Sequence, residues 1–591
     1  MDIFKSIFQN IAVSFCLFTI ALLVWSLDKG FDLSDEGYYL MCLKFPSEYF
    51  AANQWGNSIL GSVFGWLNPG IIFYRVVRLI STVLSSVYLA HHLSKLIKAQ
   101  ITNRESGISI IIVFAVVFSG AVLSYSIYPT TISYNSITVI LLQLIVGQII
   151  CIINTSTPKR AAINASFFGL GVLLMMLFVA KISTGIFMSF LILVTINFRS
   201  VLLKPSYRVF LTEISFMLIG AVIFSIILSF IDRPIFSRFE LILEELKLRT
   251  GEKMAGYISG YYVSLSDSLA RIRMKAFWVP LLLFCVGLLS KKNNSRSQLI
   301  LQTSIILTSL GYIIYLAIKE DYFSNMYTML NPYIMILLAA IGLVAGAIVA
   351  NFPKNLEEVN KKKIARLIFG LGILFIIPII GTIGTNNPLT IQAILFLFSW
   401  SSLVLLLLLI FTELTGNRIG LYIMLMSVFV IATLQLYIGM VEHPYRISQP
   451  LDKLSKKLPR QNVYVDDKTY NCVNEITNLL KQKIVLEDNH PMLDINTLPG
   501  LVYILNGKSP GVIWSRKSIN SWRSQRLAQT PMLGLEKLIL FVPKSGISKN
   551  YVSILNEKGV LYPQNYSSIG EVKHPLYNYK LSIMVPNSLL R

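Results

Sequence analysis

About thirteen apolar runs, each near 20 residues, constrain this chain more than any other feature, because each is long enough to cross a hydrocarbon layer as a helix. They begin near Ile7, Ile71, Ile108, Ile132, Ile163, Gly185, Val209, Ala276, Leu299, Thr328, Ile364, Leu389 and Ile419. Lipid cannot satisfy backbone N–H and C=O groups, so such runs must form helices. Of the 591 residues, 54% are hydrophobic and only 14% charged. The composition therefore excludes an ordinary soluble globular protein and predicts an all-α polytopic membrane protein. The first run, residues 7–27, is too long for a typical signal-peptide core, and no small-residue cleavage site follows it. It reads as a retained anchor.

The loops between the runs fall into two alternating sets. One carries Lys95, Lys98 and Arg104; Lys159 and Arg160; Arg199, Lys204 and Arg208; Lys291, Lys292 and Arg296; and Lys354, Lys361, Lys362, Lys363 and Arg366. The other, at 128–131, 320–325 and 384–388, is short and poor in Lys and Arg. The positive-inside rule predicts that the first set is cytoplasmic, with the N-terminus inside and everything beyond Met440 outside. The net charge of +22 is then the sum of cytoplasmic loops, and nucleic acid is not expected as a partner. The five cysteines show no metal spacing. Cys42 and Cys472 are both expected outside, and nothing predicts that they pair.

Two domains follow: a multi-span region, residues 1–441, and a soluble extracytoplasmic α/β domain, residues 442–591. In the second, residues 462–465, 483–486 and 538–542 read as strands around a helix at 470–481. Two long outer loops interrupt the spans. Residues 28–70 alternate aromatic and polar residues, which predicts one or two short interfacial helices. Residues 232–275 hold a mixed-charge helix at 239–253 and a basic end.

Candidate chemistry gathers at the outer interface. Just past the first span stands Asp35-Glu36, with Asp32 and Tyr39 a helical turn to either side of Asp35. A carboxylate in a partly dry interfacial pocket can act as a general base; the bland reading is a solvated turn. Arg75 and Arg78 lie near the start of the second span, three apart and so on one face. Lys181 is the only charge between Arg160 and Arg199. Intramembrane charges point to function, and a guanidinium fork suits phosphate. The alternative is snorkelling, or structural pairing with Asp32 or Glu36. Tyr39, together with Tyr134, Asn135 and Asn386 in outer turns at the same level, makes up the candidate substrate-lining residues. His91, His92, His443, His490 and His574 show no metal spacing. Trp514 and Trp522 could stack on sugar rings or fill a core.

The order of these pieces resembles the GT-C superfamily of membrane glycosyltransferases, such as bacterial aminoarabinose transferases and protein O-mannosyltransferases. The pieces are a span, Asp-Glu-x-x-Tyr at 35–39, an aromatic loop, and a second span with Arg78-Leu79-Ile80-Ser81 and Tyr88-Leu89-Ala90. Gly169-Leu170-Gly171 followed by Lys181-Ile182-Ser183-Thr184-Gly185 and the long loop after the seventh span extend the likeness over residues 1–275. The resemblance implies an inverting transferase in the bacterial inner membrane. It implies a polyprenyl-phosphate-linked sugar as donor and a glycan, lipid or protein as acceptor, with membrane lipids around it. It places the base at Asp35, with Glu36 beside it in the catalytic loop; Arg75, Arg78 and Lys181 could then neutralise charge on the departing phosphate, and the sequence does not settle which of them does. One departure is evident. Residues 128–136 hold no carboxylate where many relatives have one, although some carry a Tyr-Asn there as this chain does. No cofactor is implied with assurance, and metal dependence stays open. A flippase for lipid-linked glycans and a non-catalytic assembly subunit are the rival readings. Charges near one face, with no visible repeat, weigh against a transporter.

Overall fold

The computed structural model describes all residues except 1, 50–54, 102–107, 128–129, 155–159, 204–206, 233–234, 250–253, 291–294, 352–357, 386, 459, 512, 515–526 and 528–534. Eleven of the described helices are long and apolar enough to cross a membrane, or twelve if the pair Ser259–Ala276 and Trp278–Leu289, bent by 65°, forms one span. A shorter apolar helix, Ile110–Tyr125, completes the series expected from the sequence. The fold is thus a polytopic α-helical membrane protein followed by a small domain built on a sheet.

Local sequence explains where several helices begin. Ser109 accepts from Ile111 N, and Ser295 and Gln298 form a reciprocal capping box. Asn417 caps the last span through Gly420 N. The helix Ile71–Gln100 lies alongside Tyr134–Asn154, where Ser85 and Ser86 donate to Gln143 Oε1 (2.9 and 3.0 Å). Side-chain hydrogen bonds of this kind link helices where lipid supplies no hydrophobic drive. The helix Tyr207–Ile231 instead turns most of its apolar side chains outward, as a lipid-facing span does.

The stretch 28–70 forms two short helices, Asp35–Lys44 and Trp55–Phe64. The stretch 232–275 forms two more, Ile235–Arg249 and Met254–Ala276.

The last span, Arg418–Leu436, widens into a π-helical turn at Tyr437–Glu442 before the chain leaves it. A two-stranded hairpin follows, β1 (Lys456–Lys457) with β2 (Tyr464–Val465), and then the helix Asp467–Lys483. The main sheet has four strands: β3 (Met492–Asp494), β4 (Ile539–Pro543), β5 (Tyr566–Lys573) and β6 (Lys580–Pro586). Their order is β3-β4-β6-β5, parallel between β3 and β4 and antiparallel elsewhere. Residues 483–486 do not form a strand, contrary to the sequence reading. Ile484 has an extended backbone and a buried side chain, but no ladder partner joins it among the described residues.

One hydrophobic core joins the first loop to the C-terminal domain. Phe31, Leu33, Leu40 and Met41 pack with Leu498, Leu501, Val502, Ile539 and Phe541, all buried. Backbone pairing reinforces this seam: Tyr464 N donates to Asp28 O (2.7 Å) and Gly30 N to Tyr464 O (2.8 Å). The helix Asp35–Lys44 crosses the short helix Pro499–Ile504 at two glycines. A Cβ on Gly37 would stand 2.1 Å from Gly500 N. Gly500 N in turn donates to Leu33 O at 2.7 Å. Only glycine permits this approach.

Candidate functional site

The first loop is ordered from its own carboxylates outward. Asp32 Oδ1 accepts from Ser34 N and Ser34 Oγ (2.9 and 2.6 Å), and Oδ2 accepts from Asp35 N at 3.0 Å. Asp32 therefore caps the helix that Asp35 opens, satisfying N–H groups a helix start leaves free. Glu36 reaches back to accept from Asp32 N at 3.3 Å.

Glu36 and Arg75 are both buried and bound to each other. Arg75 Nε donates to Oε1 (3.0 Å) and Nη2 to Oε2 (2.9 Å). The same guanidinium donates to the carbonyls of Leu27 (2.8 Å), Lys29 (3.0 Å) and Gly30 (2.6 Å). All five guanidinium hydrogens are thereby committed. The pairing alternative left open by the sequence is what the geometry displays for Arg75. Glu36 and Arg75 form a strut that fixes the loop after the first span, with every guanidinium hydrogen already bonded within the protein.

Asp35 has a different setting. Its carboxylate is 16% exposed and lies 3.2 Å from Arg446 Nη1. Tyr445 Oη donates to its Oδ2 at 3.3 Å. Arg446 also donates to Ser34 Oγ and lies 4.0 Å from Asp32. Burial, with the Asp32 charge beside it, raises the Asp35 carboxyl to about 6, against the pull of Arg446. Asp35 is thus the one acidic group of the pair 35–36 that is both reachable and poised near neutrality. A small cavity of about 30 Å³ lies between Asp32, Glu36, Arg75, Thr130 and Tyr445, lined by neighbours of Asp35 and not by Asp35 itself. That is room for about one water.

Arg446 and Tyr445 were not foreseen from the sequence. They follow the π-helical turn, and Arg446 holds a left-handed backbone, φ +56°. Wide turns of this kind recur at functional sites, but the turn is a property of the fold and no residue pattern in the sequence announces it.

Arg78 lies one turn along from Arg75, buried, with its fork on Ser124 O (3.0 Å), Ser124 Oγ (3.1 Å) and Thr131 O (3.3 Å). Its guanidinium stacks 3.9 Å above the Tyr125 ring. Lys181 sits in the break between the helices Arg160–Ala180 and Ile182–Leu203, buried, and donates to Gly381 O at 2.5 Å. The turn it touches is held to the same hairpin by Ser183, which donates to Ile383 O (2.8 Å). The structure therefore brings Asp32, Asp35, Glu36, Arg75 and Arg446 into one cluster and seats Lys181 on a different scaffold, the turn at residues 381–385.

Tyr39 is buried, its ring 6.2 Å from Tyr134. Asn135, in the first turn of the helix Tyr134–Asn154, is buried, and its Oδ1 meets no hydrogen-bond donor among the described residues. Asn386 lies outside the described residues. Cys42 and Cys472 are separate free thiols. Among the described residues, no group of three or more His, Cys, Asp or Glu is placed to hold a metal ion.

The architecture defines an integral membrane protein with a carboxylate–guanidinium centre where its spans meet a C-terminal domain. No protein-family model matches the chain, and no curated protein does. Among solved structures it is similar to ArnT from Cupriavidus metallidurans bound to undecaprenyl phosphate. Identity is 13%, with 97% of this chain and 98% of that chain covered, at a TM-score of 0.43. The apo state of the same protein gives 14% identity, the same coverage and a TM-score of 0.42.

Proposed function

We propose that this chain is an inverting glycosyltransferase of the outer face of a bacterial inner membrane. It moves a sugar from a polyprenyl-phosphate donor to a glycan, lipid or protein acceptor. The observation that carries the reading is the Asp35 carboxylate: partly open, raised to about 6, and flanked by Arg446. A general base works best with its pKa near the operating pH. The order of sequence pieces that resembles GT-C enzymes supports it.

In the proposed reaction Asp35 takes the proton from an acceptor hydroxyl or amine. The freed electron pair forms the new bond to the anomeric carbon from the face opposite the phosphate. The carbon–oxygen bond to phosphate breaks, and its electrons leave with the polyprenyl phosphate. Preorganised cations lower the cost of the charge that develops there. Arg75 has no donor to spare, so Arg78, Lys181 and Arg446 are the candidates. Glu36 acts through Arg75 as a positioning residue. A cavity of about 700 Å³ along the helix Met254–Ala276, with Leu269, Met274 and Phe277 in its wall, has a lining suited to an isoprenoid tail. That helix shares a scaffold with Lys181, since Tyr261 bonds Thr385 in the 381–385 turn.

The test is a transfer assay with purified protein and a panel of polyprenyl-phosphate sugars. Transfer by the wild type, abolished in Asp35→Asn protein that still binds donor, is the expected result. Wild-type protein that translocates the lipid-linked sugar and transfers none overturns the reading.

A further inference from the structure

The C-terminal domain carries a second ordered feature that the proposed chemistry does not use. The turn between β5 and β6 presents Tyr577 and Tyr579 with their rings nearly parallel, 8° apart in plane and 6.0 Å between centroids. Both are exposed, at 54% and 37%. Exposed aromatic rings held together in this way mark binding surfaces more often than isolated ones do.

The pair is held rigidly from below. His574 is buried and lies 4.9 Å from the Tyr577 ring and 4.6 Å from the Tyr579 ring. Its Nδ1 accepts from Leu576 N (3.0 Å) and Tyr577 N (3.1 Å), and its backbone N closes the turn on Tyr579 O (2.9 Å). A ring nitrogen accepting two N–H groups fixes the neutral tautomer with the proton on Nε2.

The pair also has a defined place relative to Asp35. Tyr579 is an electrostatic neighbour of Asp494, and Tyr577 of Arg446. Asp494 ties down the next turn by accepting from Asn496 N (3.0 Å) and Leu498 N (2.5 Å). Two residues later Gly500 is seated on Leu33 and Gly37, at the start of the Asp35 helix. The tyrosine turn thus stands within electrostatic range of Arg446, on the domain whose Gly500 packs against the Asp35 helix.

We propose that Tyr577 and Tyr579 form a carbohydrate-stacking platform that holds a pyranose ring of the acceptor beside Asp35. An aromatic face complements the C–H face of a sugar, while the phenol hydroxyls suit its hydroxyl groups. The donor sugar is tethered to a membrane lipid, whereas this platform stands on the sheet domain, where a glycan acceptor arrives from water. The proposal rests on the transferase reading and commits it to a glycan acceptor.

The experiment uses the full-length protein in nanodiscs, with the pairs Tyr577→Ala/Tyr579→Ala and Tyr577→Phe/Tyr579→Phe. Binding is read on an array of hexose-, N-acetylhexosamine- and heptose-containing oligosaccharides, which does not depend on transfer. Loss of two stacked rings is expected to weaken binding about tenfold or more, while the Phe pair keeps the stack and stays within about twofold of wild type. Donor affinity is unchanged in both. Array binding that is lost in the Ala pair of a protein with no transferase activity upholds the platform and overturns the transferase. Transfer to a glycan with an unchanged acceptor KM in the Ala pair overturns the platform alone. So does a wild type that binds no oligosaccharide, or an Ala pair that loses only affinity for phospholipid vesicles.

Discussion

Arg446 reaches back across 412 positions to donate to Ser34 Oγ, and in doing so places its Nη1 3.2 Å from the Asp35 carboxylate. The cation that opposes the effect of burial on Asp35 thus comes from the far end of the membrane region.

This pairing has a pH signature. Asp35 titrates at about 6, so kcat/KM of transfer is expected to fall tenfold per pH unit below that point and to level above it. Arg446 lowers the Asp35 value. Arg446→Gln is therefore expected to move the acid limb to higher pH, and a pH–rate profile with saturating donor measures it. An unmoved limb separates Arg446 from the base.

Asp35→Asn is expected to reduce transfer by about a hundred- to ten-thousand-fold, the usual effect of removing a general base. It also makes a stability statement. The folded carboxyl titrates at about 6 against an ordinary 3.8. Between those values the folded protein holds a proton that the unfolded chain releases, so stability falls as pH rises through that window. Asp35→Asn avoids this loss. Its thermal midpoint is expected to exceed the wild type's above pH 6, with the gap closing near pH 4. A lower midpoint at pH 7 contradicts the assignment.

Glu36 and Arg75 predict the opposite. Arg75→Gln strands a buried carboxylate, a change that costs about 3–5 kcal/mol in comparable pairs. Arg75→Lys is expected to fall short as well, because one ammonium cannot replace a fork that serves five acceptors. Thermal unfolding followed by size-exclusion chromatography reads both. If Arg75→Gln protein is as stable as wild type and instead loses donor affinity, Arg75 belongs to the substrate.

Gly37→Ala tests the seam. Its Cβ would stand 2.1 Å from Gly500 N, so the helix Asp35–Lys44 must part from the C-terminal domain. Faster limited proteolysis after residue 442 and a transfer loss of about tenfold or more are expected, as a displacement of about 1 Å can cost a hundredfold. Wild-type behaviour in both assays shows that the seam does not position Asp35.

Orientation is checked at Ser545, exposed in the turn after β4. A Ser545→Cys protein is expected to react with a membrane-impermeant maleimide in intact cells. Labelling only after lysis reverses the predicted topology.

Much of this was legible in the sequence because lipid imposes strong rules. A run such as the one beginning at Ile132 has no folding option but a helix, and the structure gives Tyr134–Asn154. Asp35 stood out as a carboxylate directly after a span. Arg446 did not, since its partners Ser34 and Asp35 are set by tertiary packing and no local periodicity encodes them. Roles for Arg75 and Arg78 could not be told apart either: both share a helix face, and only tertiary partners distinguish them, Glu36 and the carbonyls of Leu27, Lys29 and Gly30 for one and Ser124, Thr131 and Tyr125 for the other. In the C-terminal domain, β3 has three residues and is too short for alternation to show. Residues 483–486 have a strand's composition, but among the described residues no strand pairs with them, and Lys483 O accepts from Arg591 N.

The backbone pairing of Gly30 with Tyr464 has a consequence for biogenesis. The first loop leaves the ribosome early and waits for a segment more than four hundred residues downstream before it can adopt its final shape. A nascent chain that stops short of Tyr464 lacks the backbone partner of Asp28 and Gly30, so the loop that carries Asp35 is completed only when the last domain folds against it.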